Sequence, residues 1–161
     1  MKYSAVPTRK ELQEHARMIP EINPSEVLAM LRILQASEEI RTVIDGVLLK
    51  EYNLSEGKLR VMIVLHQEPD GVAPSVVAQR TGVTKATISA MLRRMCRDGL
   101  VETRSDEADG RAKKIVLTPQ GMAFMNAVLP GHYLRISKLM GKLSADEQEE
   151  LIRLLRKLAG D

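Results

Sequence analysis

Aromatic side chains are nearly missing from this chain: Tyr3, Tyr52, Phe124 and Tyr133 are the whole supply among 161 residues, and tryptophan is absent. Proteins that hold RNA or single strands stack bases on exposed aromatic platforms, so this scarcity argues against that class. Cysteine occurs once, as Cys96, which excludes an intrachain disulfide framework and suits a reducing compartment. Apolar runs such as Val61–Leu65 fall far short of the ~20 residues that span a bilayer. Arg9, Lys10 and Glu11 interrupt any secretory core after Met1-Lys2, and a cytoplasmic protein with no membrane attachment is expected. There is no glycine loop shaped for phosphates, no nucleophile elbow and no Cys–His pattern, so no catalytic residue and no cofactor are expected. His15, His66 and His132 are scattered. His132 can be matched with Glu26 or Glu38, but no ligand spacing emerges and no metal site is expected. Asp106, Glu107 and Asp109 lack the alternating ligands of a calcium loop.

What is present points elsewhere. A hydrophobic fraction of 44% with 28% charged residues is enough for a folded core. The nine methionines suit a plastic core or an adaptable apolar pocket. Between Arg80 and Lys114 lie nine basic residues and five acidic ones, four more positive than negative, while the whole chain nets only +3. The positive excess is therefore concentrated in one stretch.

That stretch reads as helix, tight turn, helix and hairpin. In Val77-Ala78-Gln79-Arg80-Thr81-Gly82-Val83-Thr84, Gly82 stands where the chain reverses, a position that favours positive φ. Thr84 can cap the next helix, and Val83 plugs the turn into the core. Ile88, Met91, Leu92 and Met95 then form an apolar face at helical spacing. The other face carries Lys85, Ala86, Thr87, Ser89, Arg93 and Arg94. Short polar groups at the tip with long basic ones behind suit base edges and phosphates of double-stranded DNA. Gly99 closes this helix. Val101–Arg104 and Lys114–Leu117 alternate like strands around a polar loop, which makes a wing.

The remainder predicts flanking helices. Thr8-Arg9-Lys10-Glu11 is a capping box for a short helix ended by Pro20. Asn23-Pro24-Ser25-Glu26 opens a helix that runs to about Lys50, and Ser55 caps the next. Thr118-Pro119 starts a helix that Pro130-Gly131 should kink, and Ser144-Ala145-Asp146-Glu147 is a second capping box. The organisation expected is an N-terminal extension (1–22), an N-terminal dimerisation helix (23–52), a winged helix-turn-helix DNA-binding domain (53–118) and C-terminal dimerisation helices (119–161). The fold class is mainly α with a small β-hairpin wing. The long terminal helices have broad apolar faces that a small winged unit cannot cover, so a two-fold homodimer is expected.

Over residues 24–160 the order of elements resembles the MarR family of multiple antibiotic resistance regulators. The resemblance is carried by Leu54-Ser55, Thr84-Lys85-Ala86-Thr87-Ile88-Ser89, Asp98-Gly99-Leu100-Val101, Asp109-Gly110-Arg111 and Leu117-Thr118-Pro119-Gln120-Gly121. It implies a homodimeric repressor of a palindromic operator, released by a small lipophilic or aromatic ligand held between the dimerisation helices and the winged domain. Many relatives have arginine where this chain has Ala90.

The DNA-contacting residues expected are therefore Lys85, Ala86, Thr87, Ser89, Arg93, Arg94, Arg111 and Lys113. Arg111 suits a narrow minor groove, and the resemblance gives Asp109 the task of orienting it. Arg93 and Arg94 suit phosphates, with pairing to Asp109 or Asp98 as the alternative for one of them. Met30, Leu34, Met62, Leu65, His66 and Met122 are the candidate pocket for an effector, and core packing is the competing reading of the apolar ones. Cys96 is expected to pack beside Met95, the alternative being a redox-responsive thiol lowered by Arg93, Arg94 and Arg97. A winged-helix architectural or protein-interaction module without operator preference is the alternative function.

Overall fold

The computed structural model describes residues 6–105 and 113–160. Asp109 and Arg111 lie outside the described residues. The chain divides into two units, Met1–Val47 and Leu48–Asp161.

The first unit is built from local capping. In α1 (Arg9–Met18) the Thr8 hydroxyl accepts from the Glu11 N–H, and the Glu11 carboxylate accepts from the Thr8 N–H at 2.7 Å. This is the reciprocal box expected from the sequence. Helix α2 (Pro24–Tyr52) begins with Asn23 Oδ1 accepting from the Ser25 N–H at 3.0 Å. It runs across the division as one helix. Much of its apolar face is bare, with Met30, Ile33, Leu34, Ile40 and Val43 all exposed.

The second unit holds the core. Helix α3 (Glu56–Gln67), capped by Ser55, buries Leu59, Val61, Met62, Val64 and Leu65. It packs against α4 (Pro74–Thr81), β2 (Lys113–Leu117) and α6 (Pro119–Met140). Burial on more than one face explains why its apolar residues do not form a single narrow stripe. β1 (Val101–Ser105) pairs antiparallel with β2, Val101 opposite Leu117 and Thr103 opposite Ile115. Val72 adds a third line: its N–H donates to Ile115 O at 3.1 Å, and the Ile115 N–H donates back at 2.9 Å.

Helix α6 continues unbroken through Pro130. The final helix, α7 (Ala145–Ala159), is capped by Ser144 in a second reciprocal box, and none of its residues is buried. Ile152, Leu154, Leu155 and Leu158 stand exposed along it. No helix among the described residues is long and apolar enough to cross a membrane.

Candidate nucleic-acid interface

The turn between α4 and α5 (Lys85–Arg97) is built as its residues dictate. Gly82 adopts φ +70° and ψ +24°, the left-handed conformation that an L side chain resists. The N–H of Val83, half-buried, donates to Ala78 O at 3.2 Å. Buried Thr81 donates to Val77 O at 2.7 Å, so its hydroxyl costs the core no unmet hydrogen bond. Thr84 caps α5 by accepting from the Thr87 N–H at 3.2 Å.

Ile88, Leu92 and Met95 are buried and orient α5. That leaves Lys85, Ala86, Thr87, Ser89, Arg93 and Arg94 exposed together on its outer surface. The two hydroxyls are already engaged at home. Thr87 shares a hydrogen bond with Thr84 at 2.9 Å, and Ser89 donates to Lys85 O at 2.9 Å. Having spent its hydrogen, Ser89 presents lone pairs outward and suits a base donor better than a base acceptor. None of the described residues pairs with Arg93 or Arg94. Lys113 is exposed on β2, while Ala90 is half-buried.

Two expectations need correction. Asp98 pairs with neither Arg93 nor Arg94: Lys58 Nζ reaches its Oδ2 at 2.8 Å and holds its carboxyl below the usual carboxylate range. The two residues are 40 positions apart, so nothing in the local sequence signals the pair. Cys96 does not pack beside Met95; it is exposed. A helix turns about 100° per residue, so the buried direction of Met95 sends its neighbour into solvent.

The candidate effector residues are dispersed in character. Met30 and Leu34 are exposed on α2, whereas Met62 and Leu65 have no accessible surface and serve the core. His66 and Met122 are half-buried. The His66 Nε2 lies 3.1 Å from Asn126 Oδ1, which it serves as donor.

His132 on α6 was visible in the sequence only as a stray histidine. In the fold it is buried, and its Nδ1 has no partner among the described residues. Burial, and secondarily the charge of Arg135, depress its pKa below the ordinary value of 6.5. The native state therefore binds fewer protons than the unfolded chain once pH falls toward that value. The stability contributed by a neutral His132 is complete above pH ~6.5 and is lost as pH drops through the folded pKa. Urea unfolding from pH 8 down to pH 5 should show the midpoint falling. His132→Gln should flatten that part of the curve, and an equal slope in the variant would remove His132 as its cause.

Nearby, Tyr52 and Phe124 meet edge to face with centroids 6.5 Å apart, and Arg135 lies over the Tyr52 ring while pairing with Glu51 at 3.3 Å. Half of the aromatic supply is thus used to join the end of α2 to α6.

Comparison with known proteins agrees with this geometry. The family model of the MarR family matches residues 52–112. The HTH-type transcriptional repressor YetL of Bacillus subtilis (strain 168) is 31% identical over 156 residues, 96% of this chain and 93% of YetL. Among solved structures, AbsC, a MarR family transcriptional regulator from Streptomyces coelicolor, superposes with a TM-score of 0.79 at 23% identity. That match covers 86% of this chain and 95% of AbsC. Sco3205 from the same organism, a MarR family regulator solved in complex with DNA, gives a TM-score of 0.78 at 18% identity, covering 86% and 88%. The two structures speak for the fold, and YetL carries the relationship across nearly the whole chain. The mainly helical winged helix-turn-helix and the near full-length likeness to YetL lead to one conclusion: this chain belongs to the MarR family of transcriptional regulators.

Proposed function

We propose that the protein is a homodimeric repressor that binds a palindromic operator in double-stranded DNA and is released by a small lipophilic or aromatic ligand. The observation that carries this reading is the outer face of α5. There Lys85, Ala86, Thr87, Ser89, Arg93 and Arg94 stand in solvent while the opposite side is sealed in the core. In this reading residues 53–118 form the DNA-binding domain, with Thr87 and Ser89 at base edges and Arg93, Arg94 and Lys113 toward phosphates. Arg111, oriented by Asp109, enters the minor groove from the wing. Residues 23–52 and 119–161 form the dimer. The bare apolar side chains of α2 and α7 support that assignment, since an exposed stripe of this extent normally meets a partner. Two copies would then set their α5 helices about one DNA turn apart, ~34 Å. The ligand acts only if it has different affinity for the DNA-spaced and the mis-spaced dimer.

Footprinting on fragments upstream of the gene's own coding region tests the reading. A bounded two-fold protected site that shrinks to nothing at high salt is expected. Uniform, sequence-indifferent protection of the same fragments would favour an architectural role and overturn the repressor assignment.

A further inference from the structure

One flank of α5 borders a space that two of its outward residues, Thr87 and Arg94, share with α3. A cavity of about 410 Å³ lies between the start of α3 and α5, bounded by Ser55, Lys58, Thr87, Met91, Arg94 and Asp98. Thr87 and Arg94, both exposed, line it, and Arg94 has no partner among the described residues. Lys58 reaches into the same space but is held by Asp98 at 2.8 Å, its side chain 22% exposed against 51% for Asp98. A pair this open to water contributes little to stability. It is therefore a poor strut, but it neutralises one of the two cations facing the cavity.

A helix lying in the major groove is flanked on both sides by sugar–phosphate backbone, and phosphate contacts fix its register. Resting on the duplex-binding reading above, we propose that this cavity seats a DNA backbone phosphate. Arg94 and Lys58 are its donors, and Asp98 is the acid that holds Lys58 until the phosphate replaces it. Asp98 then acts as a brake on indiscriminate binding. Every phosphate seated here must first displace a carboxylate, so only a duplex that also satisfies the groove face gains the full contact.

The test is the salt dependence of binding by the full chain, to the footprinted operator for Lys58→Met and to a random-sequence duplex about three turns long for Asp98→Asn. Lys58→Met should weaken binding and make log K against log salt shallower by about 0.9 for each protomer engaged. Asp98→Asn should do the opposite, tightening binding several-fold at low salt and steepening the slope. Glu14→Gln, an exposed acid on α1 outside both the DNA-binding and the dimer-forming segments, alters net charge as Asp98→Asn does and should leave the slope alone. Melting temperatures should stay close to that of the unaltered protein in all three. If Asp98→Asn weakens binding as Lys58→Met does, the pair is only a strut and the proposal fails. A slope in Glu14→Gln as steep as in Asp98→Asn would reduce the effect to net charge, and it fails again. Stabilisation by millimolar inorganic phosphate with unchanged slopes in both variants would assign the cavity to a free anion. Absence of any salt-dependent duplex binding by the unaltered protein would instead bring down the DNA-binding reading itself.

Discussion

Gly121→Ala is expected to destabilise the winged unit by the upper end of, or more than, the roughly 1–3 kcal/mol typical of an overpacked core. Thr118 explains why. Its N–H donates to Leu100 O at 3.1 Å, its hydroxyl donates to Gly99 O at 2.6 Å, and the same hydroxyl accepts from the Gly121 N–H at 3.0 Å. These three bonds clamp the first turn of α6 onto the loop that leaves α5. A Cβ on Gly121 would lie 2.0 Å from Leu100 O and 2.9 Å from Leu100 C. Those are backbone atoms, so no rotamer change relieves the clash; α6 must lift, and the clamp lengthens. Urea unfolding should show a lower midpoint with little change in slope, the sign of lost stability rather than of a changed denatured state. Gly57→Ala is the contrast. Its Cβ would meet only the terminal methyl of Met91 at 3.6 Å, so the midpoint should hold or rise. Equal midpoints for Gly121→Ala and the unaltered protein would mean that the close approach does not exist in solution.

The same glycine shows where sequence reading stops. Leu117-Thr118-Pro119-Gln120-Gly121 could be recognised as a pattern, but its cause is a contact with Leu100, some twenty positions earlier. Helix starts were legible because a cap is local: Thr8, Asn23, Ser55, Thr84, Thr118 and Ser144 each act on the next two or three residues. The outward polar face of α5 was legible for the same kind of reason, since Ile88, Leu92 and Met95 declare the inward one. Pairings between distant elements were not. Lys58 with Asp98, Val72 with Ile115, and the burial of His132 are decided by how helices and strands stack. Cys96 is exposed beside buried Met95 because adjacency in sequence is not adjacency on a helix. Met62 and Leu65 show the ambiguity of apolar residues, which look alike whether they line a pocket or fill a core.

Lys85→Ala is expected to move stability and DNA affinity in opposite directions. Helices α1, α2, α3 and α7 each place an acid in the first turn, namely Glu11, Glu26, Glu56, and Asp146 with Glu147. Helix α5 has none there, and its first residue is Lys85. The N-terminal end of a helix carries partial positive charge, so a cation there is unfavourable by about 0.3–1 kcal/mol. Removing it should raise the stability of the free protein by about that much. Binding should respond the other way. A specific base or phosphate contact is worth about 1–3 kcal/mol, and a two-fold complex loses it twice, so affinity should fall about thirtyfold to twenty-thousandfold. Lys85→Glu should widen both effects, because an acid suits the helix end and repels phosphate. A residue kept only for folding cannot give this pairing of signs, since its removal lowers stability and binding together. Fluorescence anisotropy on the footprinted operator and urea unfolding of the same samples measure the two quantities. Affinity within twofold of the unaltered protein for both variants would take the start of α5 out of the groove.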